Sequence, residues 1–325
     1  MALRIAFTTH RSSIMHTNIT RQIGRRKGRS SYYTSFSRSR VGTRWAKHEG
    51  LFPLRSYNKN QQIPIVPENF AMKKRRDVEH EFGVPIPGHI LERALWTRTA
   101  LKKLPLHGPL DLASLFGRLA PLVVDLGCGN GRFLIGSALK RPEYDHIGID
   151  ILPMVLRYAT RRGNQRGLGN LRFAAIDAQR FVANLLTPQA VREIHCYHPQ
   201  PFHDLADAHK RLLRPSFVAQ IHRVLERDGT FCVQTDNGPY WAYLKEVLPR
   251  FFDFHEQLGP WPDAPSGRTR REILALHRHY RVYRGWGIRK EISSEEALAL
   301  AKNLPLPTFD AGPHCDDLDR LECQT

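Results

Sequence analysis

The chain has 325 residues, of which 41% are hydrophobic and 25% are charged, and its net charge is +18. This length fits one catalytic domain with extensions. No apolar run is close to the roughly 20 residues that a membrane-spanning helix needs. The chain has five cysteines, and this odd number argues against a disulfide framework and for a reducing compartment. The positive charge makes nucleic acid the leading partner, with a solvated basic surface as the plain alternative.

Residues 1–71 form a basic segment without regular periodicity. They contain thirteen Lys and Arg against two acids, and we expect a largely disordered extension. Three interpretations stay open: a tail that grips RNA, an Arg-rich organelle transit peptide, or sequence upstream of a true start at Met72. The expected location is cytoplasmic, with the transit peptide as the alternative. Residues 72–120 are predicted to be a lead-in of helix and loop.

From about residue 121, apolar runs of strand length alternate with segments of helix length. The runs predict buried strands at Leu122–Leu126, His146–Ile151, Leu171–Ile176, Ile194–Tyr197 and Thr230–Thr235. Helices are predicted near 132–140, 153–167, 178–187, 214–227 and 239–250. This alternation is typical of an α/β fold with a doubly wound, mostly parallel Rossmann-like sheet and helices on both faces.

Beyond residue 250 the pattern predicts a strand near Phe252–Gln257, another near Ile273–Tyr283, and a helix capped within Ser293–Glu296. We therefore place the catalytic domain at 121–305 and a C-terminal tail at 306–325. No metal is expected, because the metal-ligating residues of the tail lack a second pair at a recognised spacing. These residues are His314, Cys315 and Cys323.

A glycine turn at Gly127, Gly129 and Gly131 follows the first predicted core strand. A dinucleotide fold would require a glycine at position 132, which is an arginine, and the lysine of a phosphate-binding loop is missing. S-adenosylmethionine has no phosphate but carries an ammonium and a sulfonium. Asp125, which enters the turn, is the expected complement of this positive charge.

Two further acids end the next two strands. Asp150 can accept both ribose hydroxyls, and Asp177 can reach the adenine edge. The carboxyl ends of strands are where open α/β sheets bind ligands. The predicted cofactor contacts are Asp125, Gly127, Gly129, Gly131, Asp150, Ile151, Asp177, Ala178 and Gln200.

The fourth strand leads into a loop, Tyr197–His203, that two prolines stiffen and in which an aromatic ring can cover a planar base. His198 and His203 are candidate acid–base groups or plain loop histidines. Three arginines, Arg278, Arg281 and Arg284, either follow a phosphate backbone or form the solvated face of a strand.

From about residue 109 to 284 the chain resembles the tRNA (guanine-N7)-methyltransferase family, a family of Rossmann-like enzymes that use S-adenosylmethionine. The matching motifs are, in order, Asp125–Gly131, Gly148–Asp150, Asp177-Ala178, Pro199–Phe202, His209–Arg211, Thr235-Asp236, and Thr269 with Glu272. The resemblance implies methyl transfer to guanine N7 in tRNA. It implies catalytic roles for Gln200 and Asp236 and substrate contacts by Phe202, Lys210, Arg211, Asp236, Thr269 and Glu272.

The chain departs from the family in its Pro-Asp-Pro-Trp loop. Gln200 replaces the aspartate and Phe202 the tryptophan, while Asp204, Ala206 and Asp207 replace basic residues that usually follow. Two alternatives to a guanine-N7 enzyme therefore stay open. One is a methyltransferase of the same fold acting on another nitrogen, and the other is a non-catalytic RNA-binding relative.

Overall fold

The computed structural model describes residues 78–313 and 316–323. The predicted extension 1–71, together with Met72, His314, Cys315 and the side chain of Cys323, lies outside the described residues. A short hairpin comes first, formed by β1 (His80–Glu81) and β2 (Val84–Pro85). The main sheet then contains β3 (Leu122–Leu126), β4 (Asp145–Asp150), β5 (Leu171–Ala175), β6 (Val191–Tyr197), β7 (Leu225–Thr235), β8 (Phe252–Glu256) and β9 (Tyr283–Arg289).

The main sheet is mostly parallel, with a reversal at one edge. Within the described residues its strand order is β5, β4, β3, β6, β7, β9, β8. The first five of these strands run parallel, whereas β9 is antiparallel to both β7 and β8. The order reverses direction at β3, and such a switch point opens a crevice beyond the carboxyl ends of the strands.

Helices flank the sheet. They are α1 (Leu112–Phe116), α2 (Arg132–Lys140), α3 (Pro153–Gln165), α4 (Ala178–Arg180, continued by a π turn at Phe181–Leu185), α5 (Pro215–Val224), α6 (Gly238–Phe251), α7 (Arg270–His277), α8 (Ser294–Lys302) and α9 (Asp316–Cys323), with 3-10 turns at Arg93–Leu95 and Leu205–Lys210. In this described part of the chain, none of the helices has the length and apolar character needed to cross a membrane.

Both faces of the sheet are covered by apolar side chains. Along β3, Leu122, Val124 and Leu126 belong to one buried cluster and Val123 to another on the opposite face. All four are at most 1% exposed. A strand buried on both faces has to be almost continuously apolar, and this is why Asp125 stands out in β3.

The predicted doubly wound α/β sheet is confirmed, and so is the helix at 294–302, whose Ser293 and Glu296 form a capping box. The strand predicted at Ile273–Tyr283 is wrong: α7 continues through His277, and the strand begins only at Tyr283. Thr269 accepts a hydrogen bond from the Glu272 N–H and starts the helix. A short apolar run does not by itself distinguish a buried strand from one face of a helix.

The C-terminal segment packs against α6 and α7. Phe309 packs against the rings of Tyr240 and Tyr243, and the Ala311 carbonyl accepts a hydrogen bond from Asn237. Helix α9 then lies on α7, with Leu318 only 1% exposed. The residues at 306–323 that the structure describes are therefore packed against the proposed catalytic domain.

Candidate functional site

The glycine turn after β3 combines tight packing with open space. The backbone N–H groups of Gly127 and Cys128 both donate to the Ile149 carbonyl, at 2.9 Å each, which ties the turn to β4. Gly131 has φ +77°, and a Cβ there would lie 2.8 Å from the Phe173 ring. By contrast, a Cβ on Gly129 would meet no atom within 4 Å. The turn is thus closed toward the core and open on the crevice side.

Asp125 lies under this opening as a buried carboxylate. Its side chain is 2% exposed, and no hydrogen-bond donor of the described chain reaches it. Burial, reinforced by the negative charge of Asp150 and opposed by Arg268, raises the pKa of Asp125 to about 8. A cation in the crevice would remove this penalty.

Asp150 is held by the turn that it faces. One carboxylate oxygen accepts from the Gly129 N–H and the other from the Leu152 N–H, both at 2.9 Å. Each oxygen keeps a second lone pair for a ligand hydroxyl. The neighbouring Ile151 is 68% exposed, which leaves an apolar surface beside these oxygens. The residues present therefore fit a ligand with a cation, a pair of hydroxyls and a flat base.

The third strand-end acid is engaged locally. Asp177 caps α4, because its Oδ1 accepts from the Arg180 N–H at 2.9 Å. Its side chain is exposed, and the adjoining Ala178 is the first residue of the helix. The cap fixes the backbone at the end of β5, so these two residues border the same crevice as Asp125 and Asp150.

The loop after β6 is clamped from beneath by Arg211. This guanidinium is fully buried and donates to the carbonyls of Pro201 and Phe202 in the loop and of Pro307 and Phe309 in the C-terminal segment. It also stacks 4.0 Å above the Phe309 ring. The structure thus corrects the prediction that Arg211 contacts the substrate, since its donors point into the protein.

The acids that follow the loop are already partnered. Asp207 forms an ion pair with Lys210 at 2.8 Å, and Asp204 caps the 3-10 turn by accepting from the Ala206 N–H. The negative charge of Asp207 is therefore offset within the turn. Gln200, at the head of the loop, is exposed.

Glu272 is held by partners within the protein. Its Oε1 accepts from Arg284 Nε at 2.7 Å and lies 2.6 Å from Arg284 Nη2 in the same ion pair, while its Oε2 accepts from the Arg268 N–H and from Gln234. These contacts surround a carboxylate that is fully buried. Thr269 is used as the cap of α7. Both residues are engaged within the protein, and the guanine contacts predicted for them stay predictions.

Asp236 keeps an opening toward the crevice. His198 reaches its Oδ1 at 3.2 Å and Arg271 its Oδ2 at 2.9 Å, and the side chain is 15% exposed. Burial disfavours the charge, but the hydrogen bonds from His198 and Arg271 outweigh it and hold the pKa of Asp236 well below its usual range. Asp236 is therefore a carboxylate at neutral pH.

Three residues near the site were not predicted from the sequence. Arg268 donates to the Tyr197 hydroxyl and stacks 4.0 Å from the Trp261 ring, and it lies close enough to Asp125 to lower the pKa of that carboxyl. Glu81 in the hairpin accepts from Asn130 of the glycine turn at 2.6 Å. A glutamine in an apolar strand, Gln234 of β7, was the one visible hint of a buried polar network.

A family model described as "Putative methyltransferase" matches residues 119–273. A tRNA (guanine-N(7)-)-methyltransferase of Alcanivorax borkumensis is 30% identical over 178 residues, which cover 55% of this chain and 74% of that protein. The chain belongs to the tRNA (guanine-N7)-methyltransferase family. A relative of the same name from Alkalilimnicola ehrlichii is 28% identical over 192 residues, covering 58% of this chain and 81% of that protein.

Among solved structures, the 16S rRNA methyltransferase KamB is similar at 18% sequence identity with a TM-score of 0.44, over 59% of this chain and 99% of that one. The family assignment does not depend on this similarity. In this chain, Gln200 and Phe202 lie in the loop after β6 that Arg211 holds from beneath.

Proposed function

We propose that this protein transfers a methyl group from S-adenosylmethionine to N7 of a guanine in tRNA. The observation that carries the proposal is the buried carboxyl group of Asp125, which no donor among the described residues reaches, beneath an open glycine turn. Such a group favours a cationic ligand without phosphates. Membership of the tRNA (guanine-N7)-methyltransferase family supports the nature of the acceptor.

Different residues of the crevice would hold different parts of the cofactor. Asp125 would face its positive charge, Asp150 its ribose hydroxyls, and Ile151 and Ala178 the adenine. When bound, the cofactor supplies an electrophilic methyl group. The Asp150 carboxylate is already oriented by the N–H groups of Gly129 and Leu152. Binding of the cofactor would therefore cost little side-chain entropy at this residue.

Guanine N7 carries a lone pair and no proton, so its methylation needs no strong base. Positioning is then the main demand on the protein. Asp236 suits this task, because it is ionised, fixed by two donors and still 15% exposed. The purine gains positive charge as it reacts, and a nearby carboxylate stabilises that change.

The RNA would be attracted by the basic surface of the chain. Arg278 and Arg281 are exposed between α7 and β9, whereas Arg284 is buried against Glu272. We therefore assign phosphate contacts to the first two arginines and a structural role to the third. The extension 1–71, with eleven net positive charges, would add further contacts to phosphate.

One observation favours a second candidate, the methylation of another nitrogen acceptor. Gln200 is exposed and neutral at the position where the family has an aspartate. An amide offers both a donor and an acceptor, which would suit a neutral acceptor edge. The buried free cysteines Cys128, Cys196 and Cys232 support a reducing compartment for either reaction, and we propose the cytoplasm.

The decisive experiment is methyl transfer from labelled S-adenosylmethionine to bulk tRNA, followed by nucleoside analysis. We expect 7-methylguanosine as the labelled product. Asp150→Ala, which removes the predicted ribose acceptor, serves as the negative control, and Asp111→Ala, which removes the cap of α1, as the matched one. Labelling of a different nucleoside would favour the second candidate. Cofactor binding without any transfer to tRNA would refute the first candidate and restrict the second to acceptors outside tRNA.

A further inference from the structure

The ring of His198 lies between two polar side chains at the end of β7. Its Nε2 lies 3.0 Å from the Gln234 amide nitrogen and its Nδ1 lies 3.2 Å from Asp236 Oδ1. The His198 side chain is 8% exposed and Gln234 is fully buried. Each proton in such a buried cluster has to find an acceptor, so the positions of the protons can be worked out.

Trp261 determines which way Gln234 is turned. An indole N–H can only donate, and Trp261 Nε1 lies 2.7 Å from Gln234 Oε1, which must therefore be the carbonyl oxygen. The other end of the amide is the NH2 group. It lies 3.0 Å from His198 Nε2, which is nearer than Glu272 Oε2 at 3.3 Å and Thr269 Oγ1 at 3.4 Å, so its shortest contact is to the ring nitrogen.

The amide in turn determines the tautomer of His198. Because Gln234 donates to Nε2, this nitrogen has to accept, and a proton on it would place two buried donors against each other. The ring proton is therefore on Nδ1, where it is donated to Asp236. His198 is thus excluded as a general base, since its one lone pair is already used.

Asp236 is left with a defined direction. His198 donates to Oδ1 and Arg271 Nε donates to Oδ2, with Arg271 Nη2 also 2.9 Å from Oδ2 in the ion pair, so each oxygen has accepted one hydrogen bond and can accept a second. Two adjacent acceptors match the Watson–Crick edge of guanine, which offers N1–H and the 2-amino group side by side. Adenine offers an acceptor at N1 and would not fit. Guanine held by this edge presents N7 on its opposite side.

We propose that His198 is a positioning residue for guanine specificity: as the Nδ1–H tautomer it orients the Asp236 carboxylate toward the two donors of the acceptor base. This inference rests on the proposed function for its substrate. Its structural half, the tautomer, is independent of any activity. The backbone of His198, at φ +52°, supports this role. Its N–H donates to the Gln234 carbonyl at 2.7 Å, which fixes the backbone position from which the ring extends.

The tautomer can be measured in the full chain labelled with ¹⁵N-histidine. The ring signals of His198 are identified by their loss in His198→Phe. At pH 7 we expect a protonated Nδ1 and an unprotonated Nε2. A proton on Nε2, or on both nitrogens, would overturn the inference whatever the protein methylates.

The kinetic test uses tRNA in which the modified guanine, located by mapping the wild-type product, is replaced by inosine, which lacks the 2-amino group. The wild-type protein should lose at least about tenfold in kcat/KM on the inosine substrate. His198→Phe should lower kcat on guanine and reduce the guanine preference to about threefold or less. Phe202, at φ +48°, shows that this backbone conformation accommodates an aromatic residue.

His198→Asn is the matched rescue variant, because asparagine tolerates positive φ and its side-chain N–H can replace the donor to Asp236. It should retain the guanine preference, and all three proteins should bind the cofactor equally. A His198→Phe protein that is slower but equally selective would reduce His198 to a structural residue. A wild-type protein that modifies no guanine in tRNA would instead refute the proposed function, while the tautomer measurement would still decide the inference about His198.

Discussion

At the scale of single residues, the raised pKa of Asp125 predicts that binding of the cofactor is coupled to the release of a proton. Its pKa of about 8 in the free protein means that it is mostly protonated at pH 7. A positively charged ligand favours the ionised form, so binding should release up to one proton. Affinity should therefore rise with pH between 6 and 8 and level off above.

Calorimetry of cofactor binding in two buffers that differ in ionisation enthalpy would measure this proton release. Asp125→Asn provides the control, because it keeps the shape of the side chain but cannot titrate. Any proton released by the ligand itself is still measured in this variant. The release should be smaller in this variant by the contribution of Asp125. Equal proton release by both proteins would show that the carboxyl does not face the cation.

Gln200 tests the acceptor side at the same scale. If the chain is a slowed guanine-N7 enzyme, Gln200→Asp returns a carboxylate beside a purine that becomes positive, and a stabilisation of about 1.4 kcal/mol would raise the single-turnover rate about tenfold. Gln200→Asn, a neutral residue of the same size as aspartate, is the control. A slower Gln200→Asp protein would instead indicate that glutamine is adapted to another acceptor.

At the scale of elements, the loop after β6 depends on the C-terminal segment. Arg211 joins the two by donating to two carbonyls in each. Since the loop has prolines at positions 199 and 201 and positive φ at His198 and Phe202, its shape is fixed by this clamp together with its own backbone. The segment beyond β9 is thus part of the substrate side.

We expect Arg211→Met to lower the free energy of unfolding by about 3 kcal/mol or more, because it leaves buried carbonyls without donors. The adjacent Lys210→Met removes only a half-exposed ion pair with Asp207, and should cost less than about 1 kcal/mol. Denaturant unfolding of the two variants checks both values. Weaker tRNA binding by Arg211→Met at unchanged stability would restore the original interpretation of a phosphate contact.

At the scale of the whole molecule, the charge is unevenly distributed. Residues 1–71 hold +11 of the net +18. We expect their removal to leave the cofactor affinity unchanged, since the glycine turn and its acids are built from residues after 121. Affinity for RNA should fall, and its dependence on salt should become weaker.

Titrations of the full chain and of residues 72–325 with cofactor, and with tRNA at several salt concentrations, would measure these effects. A shortened protein that loses cofactor binding would show that residues 1–71 belong to the catalytic unit. Equal salt dependence of the two proteins would show that the extension makes no phosphate contacts.

The sequence by itself determined the sheet, the glycine turn and the candidate acids at the strand ends. These features are local: a strand buried on both faces has to be apolar, and a turn that opens to a ligand has to contain glycine. Asp125 was visible because a carboxylate interrupts such a strand. The family motifs then placed Asp236 and Gln200 at the same edge of the sheet.

Only the tertiary structure decided what each polar group contacts. Arg211 and Lys210 are adjacent in a basic triplet, yet one is fully buried and the other is exposed. Glu272 was predicted to hold a base and is fully buried against Gln234, Arg268 and Arg284. The tautomer of His198 depends on Trp261, 63 positions away in the chain. Hydrogen bonds and burial are set by neighbours in space, and a single sequence does not encode them as a pattern.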